Sequence, residues 1–141
     1  MILEDLKMTG HLHVRVNGEV VRDIPNLVVT TGKEFVASRI KDATTAVMSH
    51  MAIGSGATAP AAGDTALGNE LHRSALVSTT VSGAVVTYSA DFGAGDGTGA
   101  VTEAGLFNAS SAGTLFCRTT FAVVNKGPND TMSISWSVTV S

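Results

Sequence analysis

The chain has 141 residues, of which 15% are charged, and its formal net charge is −3. This length is enough for one buried core, while the lack of a basic run excludes an electrostatic footprint for nucleic acid. A single cysteine, Cys117, excludes an intrachain disulfide, and no apolar run approaches the roughly 20 residues of a membrane span. The N-terminus carries acids where a secretory signal has basic residues, so we expect a protein used inside a cell, or in an assembly built there.

Residues 1–8 are predicted to form an N-terminal arm that precedes a single domain over residues 9–141. The arm is apolar but too short to hold a helix alone in water, so it either frays or orders against a neighbouring molecule. We expect the second outcome, in which the arm docks on a partner. Its candidate interface residues are Met1, Ile2, Leu3, Leu6 and Met8.

The domain is predicted to begin with a β-hairpin. Apolar and polar residues alternate from residue 9 to residue 16, which is the period of a half-buried strand. Asn17 and Gly18 follow, and this dipeptide favours a type I′ turn because both central residues of that turn need a positive φ. Pro25 is expected to break the second strand, which resumes over residues 27–30.

One short helix is predicted at about residues 32–41. Thr31 and Glu34 fit a capping box, in which the two side chains accept hydrogen bonds from N–H groups of the first turn. Asp64 is expected to cap one further helical turn, over residues 65–71. The apolar residues spaced to form the buried stripe of the main helix are Phe35, Val36, Ala37 and Ile40.

Short strands separated by clusters of small turn residues make up the rest of the chain. They are expected at about residues 47–54, 75–81, 85–92, 101–108, 114–125 and 131–140. The predicted fold class is therefore all-β: an antiparallel β-sandwich or jelly roll with one short helix.

The last strand has the most regular alternation. Over residues 131–141 apolar side chains alternate with hydroxyl side chains, so one face is buried and the other carries no charge. Such a face can pack against another protein at little desolvation cost, which makes Ser133, Ser135 and Ser137 candidate interface residues. The predicted core residues of the whole chain are Val14, Phe35, Ile53, Leu67, Leu106, Phe116, Phe121, Ile134, Trp136 and Val138.

No pattern in the sequence predicts catalysis. His11 and His13 share a strand face at a spacing that can bind zinc, but the sequence places no further ligand beside them. The loop Asp91–Gly99 has only two acids, too few oxygens for calcium, and is expected to be a flexible turn. The sequence therefore predicts no enzyme, no metal and no cofactor.

Four ionisable residues lie next to apolar sequence, where a charge needs a partner. They are Glu70, Arg73, Glu103 and Arg118. We expect ion pairs at strand ends or contacts with another molecule, and the two arginines are candidate interface residues.

Five stretches of the chain carry a resemblance to known proteins, and they are Asn26–Gly32, Ile53–Leu71, Val101–Asn108, Leu115–Phe121 and a segment from Asn125 to Trp136. They resemble small structural proteins of tailed bacteriophages, and among them most closely the capsid cement, or decoration, proteins. The resemblance covers about residues 10–140. It rests on turn and packing motifs, and related stretches also suit tail-fibre and baseplate proteins.

The resemblance implies a jelly-roll domain that forms a homodimer and binds the outside of an icosahedral head. The expected partners are the major capsid protein and a second copy of the chain, with no contact to nucleic acid or membrane. The expected location is the capsid surface of a virion assembled in the host bacterial cytoplasm. The alternative is a tail-fibre or baseplate module, which the lack of internal repeats makes less favoured.

Overall fold

The computed structural model describes residues 6–141, and this part of the chain contains nine strands and one helix. The helix, α1, spans Thr30–Lys41. The strands are β1 Met8–Val16, β2 Glu19–Val28, β3 His50–Gly54, β4 Glu70–Ala75, β5 Ser78–Ser82, β6 Val85–Phe92, β7 Gly99–Phe107, β8 Leu115–Lys126 and β9 Met132–Val140.

All strand pairs are antiparallel and form one curled sheet in the order β4-β3-β7-β8-β2-β1-β9-β6-β5. β2 joins the two halves of this sheet. It pairs with β1 as far as Asn26 and with β8 through Leu27 and Val28. The prediction of an all-β fold with one short helix is confirmed, while the jelly-roll form of that prediction is not confirmed.

The core lies between the two halves of the curled sheet and contains side chains from both. Trp136 on β9, Ile53 on β3 and Leu106 on β7 are fully or almost fully buried in one cluster. Seven of the ten predicted core residues are buried, and the other three, Phe35, Leu67 and Phe121, are partly buried against the core. Alternation predicts these residues well in strands such as β1 and β9, which have one face on this core.

The predicted turn between β1 and β2 is confirmed. Asn17 has φ of 50° and Gly18 has φ of 86°, which are the positive values that a type I′ turn requires. Pro25, by contrast, does not break β2. It lies within the strand opposite His11, next to the point where β2 changes partner from β1 to β8. Proline has no backbone N–H to donate, and here that donor is lost where the hydrogen-bonding partner of β2 already changes.

The helix begins one residue earlier than its predicted cap. No side chain caps it, and the Thr31 hydroxyl donates instead to the Leu115 carbonyl of β8 (2.8 Å). Only the first turns of α1 pack on the sheet, through Gly32 and Phe35, and Ile40 is 79% exposed. The predicted capping box and the full buried stripe are therefore wrong, because contact with β8 positions this helix.

Segment 65–71 is not helical. Its last residues belong to β4, which pairs with β3, and Asp64 accepts a hydrogen bond from the backbone N–H of Ala61 (2.9 Å). The predicted cap at Asp64 is therefore wrong, since its carboxylate stabilises the preceding turn.

The first strand begins at Met8, one residue before the predicted start of the strand pattern. Lys7 exchanges two backbone hydrogen bonds with Ser141 (2.7 and 2.8 Å). Met8 therefore belongs to β1, and Lys7 extends its backbone pairing with the residue after β9. The predicted arm otherwise falls mostly on residues 1–5, which lie outside the described residues.

Replacing Trp136 tests the assigned core. Its ring is fully buried and its Nε1 donates to Asn26 Oδ1 (3.1 Å). Trp136→Ala is expected to lower the free energy of unfolding by about 3–5 kcal/mol, and Trp136→Phe by less because most of the ring volume remains. Urea unfolding followed by circular dichroism measures both values. The half-exposed Val123→Ala is the control, with a change within about 0.5 kcal/mol; an equal effect of all three variants would contradict the core assignment.

Candidate functional site

The segment between β3 and β4 is held by one buried carboxylate. Glu103 on β7 is 0% exposed and accepts hydrogen bonds from the backbone N–H groups of Gly56 (2.6 Å), Gly68 (2.8 Å) and Asn69 (2.8 Å). The donors come from both ends of the segment. One carboxylate therefore closes the loop onto the sheet, and we call this set of contacts the Glu103 clamp.

Arg118 on β8 completes the Glu103 clamp. Its guanidinium donates twice to Glu103 Oε1 (3.0 and 3.2 Å), once to Asp64 Oδ2 (2.9 Å) and once to the Thr58 carbonyl (2.9 Å). Arg118 is only 2% exposed. The expected ion pair is therefore formed within the chain, with Glu103 and Asp64, and an interface role for Arg118 stays a prediction.

Glycine is required where the loop crosses the carboxylate. A Cβ on Gly56 would meet the Glu103 carboxylate itself, and a Cβ on Gly54 would meet the Asn69 carbonyl. The small residues of this stretch therefore allow the backbone to approach the buried charge closely.

The Glu103 clamp sets the ionisation of its carboxyl. Burial alone raises the pKa of Glu103, but the three backbone donors and Arg118 together lower it by more, so the pKa lies below its ordinary value of 4.5. The carboxyl is therefore ionised at neutral pH despite its burial.

Arg73 also serves the chain's own structure. Its guanidinium forms two hydrogen bonds with Glu70 (2.7 and 3.0 Å), donates to the carbonyls of Ala109 and Ala112, and lies 3.7 Å from the centroid of the Phe107 ring. The side chain is almost fully buried. Arg73 therefore holds the turn that follows β7, and its interface role stays a prediction.

The described part of the predicted arm borders an apolar groove. Met1, Ile2 and Leu3 lie outside the described residues. Leu6 is 72% exposed, whereas Met8 is partly buried in β1. The groove, of about 390 Å³, is lined chiefly by Leu6, Met8, Val36 and Val140. This end of the molecule therefore presents apolar surface where the chain enters the sheet.

The hydroxyl residues of β9 face away from the core, as predicted. Ser135 lies opposite His13 of β1 on one side and Ser89 of β6 on the other, and Ser89 in turn lies opposite Ser78 of β5. Partners in register share a face of the sheet. We call this surface the hydroxyl face, and Asp91 lies at one end of it, opposite Ser133. Over β5, β6 and β9 its hydroxyl residues are Ser78, Thr80, Ser82, Thr87, Ser89, Ser133, Ser135, Ser137 and Thr139.

β5 ends the strand order on the side of the hydroxyl face. All five of its residues are exposed, and none is charged or proline. β4, at the other end of the order, carries Glu70, His72 and Arg73. Charged side chains protect an edge strand against pairing with another chain. β5 therefore has the less protected of the two edges.

A lysine side chain of the same chain contacts the loop Asp91–Gly99. The buried Lys126 places its Nζ 2.7 Å from the Gly93 carbonyl, and Asp96 lies 4.0 Å from His72 Nε2. The Gly93 carbonyl oxygen is therefore already used by Lys126.

One group of three metal-ligating side chains is present among residues 6–141, and it consists of His11, His13 and Asp23. Sequence reasoning missed Asp23, which lies on β2 directly opposite His13. The hydrogen bond from His11 lowers the pKa of the Asp23 carboxyl. The cluster lies on the exposed surface of the sheet.

No family model, curated protein or solved structure matches the chain. In the described part of the chain, no helix combines the length and the apolar character that a membrane crossing needs.

Removing the Glu103 carboxylate tests the Glu103 clamp. Glu103→Ala is expected to lower the free energy of unfolding by about 3–5 kcal/mol, because Arg118 stays buried without its main partner. The control is Glu34→Ala on the exposed side of α1, with a change within about 0.5 kcal/mol. Chemical denaturation of both variants gives the values, and equal stability of the two would contradict a structural role for Glu103.

Acid titration of Glu103→Gln provides a second measurement. Because the folded pKa of Glu103 is lowered, its contribution is complete above the unfolded value of 4.5 and is lost as pH falls through the lower folded value. The stability difference between the natural chain and Glu103→Gln should therefore shrink as the pH falls below about 4.5. A difference independent of pH would show that the carboxylate charge is not what stabilises the loop.

Proposed function

We propose that this chain is a cement protein of a tailed-bacteriophage head, which binds the outside of the capsid and bridges neighbouring major capsid subunits. The first support is the resemblance of five stretches to virion structural proteins. Two of those stretches, Ile53–Leu71 and Val101–Asn108, contain the loop and the carboxylate of the Glu103 clamp, and a third contains Arg118. The resemblance therefore covers the residues that hold the fold together.

The observation that carries the proposal is the edge strand β5 beside the hydroxyl face. β5 exposes its full length without charge or proline, so a strand from another protein can pair with it. Next to it, the outward surface of β6 and β9 carries mostly hydroxyl groups, with the charged Asp91 at one end of β6 opposite Ser133. Hydroxyl groups cost much less to desolvate than charges. Together the edge and the face offer a broad surface for protein contact.

The proposed function is structural and requires no catalysed reaction. Each backbone hydrogen bond added at β5 contributes about 0.5–1.5 kcal/mol net, so one contact is modest. An icosahedral head repeats every contact by symmetry, and the summed contacts oppose the outward pressure of packaged DNA. The proposed partners are the major capsid protein and a second copy of the chain in an isologous dimer, on virions assembled in the host bacterial cytoplasm.

Imaging the virion tests this function directly. In cryo-electron microscopy of virions that carry the chain, we expect its density on the outer surface of the head, bridging capsid subunits. Virions that lack it should have heads that open at a lower temperature. Density confined to the tail would overturn the proposal in favour of a tail-fibre or baseplate module.

A charge placed on β5 tests the proposed docking edge. Thr80→Lys puts an ammonium in the middle of the strand, where it should block pairing with another chain while leaving the fold intact. Binding to heads that lack the protein is measured as copies bound per head, and we expect a loss of at least tenfold. Ser110→Lys adds the same charge to an exposed loop and should bind normally. Full binding by Thr80→Lys would exclude β5 as the contact.

Shortening the N-terminus tests the proposed arm. Deleting residues 1–5 keeps the backbone hydrogen bonds between Lys7 and Ser141 and the whole of β1, so thermal stability of the isolated chain should change little. Burial of the apolar arm residues against a capsid groove would contribute roughly 1.5–3 kcal/mol per side chain, offset by the cost of ordering the backbone. We therefore expect fewer copies per head and a lower opening temperature. Equal occupancy by the shortened chain would exclude docking by the arm.

A further inference from the structure

Two histidines and one aspartate converge on the outward surface of the sheet. His11 and His13 lie two residues apart on β1, so they share a face, and Asp23 lies opposite His13 on β2. β1 is paired on both sides, with β2 and with β9. The backbone under these side chains is therefore held rigidly, which favours a preorganised site.

The three side chains are close enough to share one ion. His11 Nε2 contacts Asp23 Oδ1, His13 Nε2 lies 3.4 Å from Asp23 Oδ2, and all ligand atoms lie within 4.8 Å of one another. Ligands about 2.0–2.1 Å from a tetrahedral zinc ion are about 3.3 Å apart. The side chains are 46%, 42% and 55% exposed, so they are free to move by the small amount that this geometry requires.

We propose that His11, His13 and Asp23 form a binding site for a divalent transition-metal ion, with Zn²⁺ as the ion best suited to it. Two imidazole nitrogens and one carboxylate oxygen are ligands that zinc prefers, whereas calcium and magnesium prefer a site made of oxygens. This site is independent of the proposed role in the capsid, because it uses only residues of the folded chain.

The geometry leaves at least one coordination position open toward solvent. Three protein ligands occupy three of the four positions of a tetrahedral zinc ion, and the cluster faces outward beside Ser135 and Ser137 of the hydroxyl face. Water fills the remaining position in the isolated protein. The site is therefore weaker than a closed structural site with four protein ligands, and the fold does not require the metal.

Isothermal titration of the full chain, without a polyhistidine tag, with Zn²⁺ tests the site. We expect one ion per chain, and a loss of affinity of at least tenfold in each of His11→Asn, His13→Asn and Asp23→Asn. The control is His72→Asn, which removes the histidine that faces Asp96 and should leave the affinity unchanged. Absence of saturable binding, or equal losses in His72→Asn and His13→Asn, would overturn the proposal.

Electron paramagnetic resonance with Cu²⁺ gives a readout that loss of folding cannot imitate. Coupling to two imidazole nitrogens is expected in the natural chain and coupling to one in His13→Asn. The melting temperature without metal should be the same in all variants, because the three side chains are exposed. A spectrum unchanged by His13→Asn would place the copper elsewhere and contradict the site.

Discussion

The hydrogen bonds to the Glu103 carboxylate are the contacts on which the arrangement of β3, β4 and β7 depends. A buried charge is costly unless its partners replace the lost water, and here three backbone N–H groups and one guanidinium do so. Arg118 then connects the carboxylate to Asp64 and to the Thr58 carbonyl. The irregular segment 55–69 is thus tied to β7 and β8 along its length, although it has no secondary structure of its own.

The buried charged residues and the exposed outer strands have different roles. Glu103, Arg118 and Lys126 are buried and bind the chain's own loops, whereas β5 and the outward surface of β9 present hydroxyl groups. This distribution supports the proposed docking role, because the contact surface loses little hydration when it is covered. A rigid scaffold with low-charge outer strands suits a protein that makes many identical, modest contacts.

Regular local patterns predicted most of the strands and the core. The alternation that ends at Val140 placed Trp136 inside, and the Asn17-Gly18 turn has the expected backbone geometry. Predictions failed where a distant segment decides the outcome. Pro25 stays within β2 because the strand changes partner beside it, and Ile40 is exposed because α1 packs on β8 only through its first turns. Secondary-structure propensity and hydrophobic periodicity are properties of one segment, so they do not reveal the contacts that a distant part of the chain makes with it.

The sequence by itself determined the strand faces, the hairpin turn and the hydroxyl surface, because these follow from neighbouring residues. Only the tertiary structure decided which side chains meet. Counting back from the pair Val16–Glu19 would place Arg22 opposite His13, but a β-bulge between Val14 and Arg15 shifts the register by one residue and brings Asp23 there instead. Glu103 likewise meets donors 34 to 47 residues away. Such pairings depend on register and chain path, which no local pattern specifies.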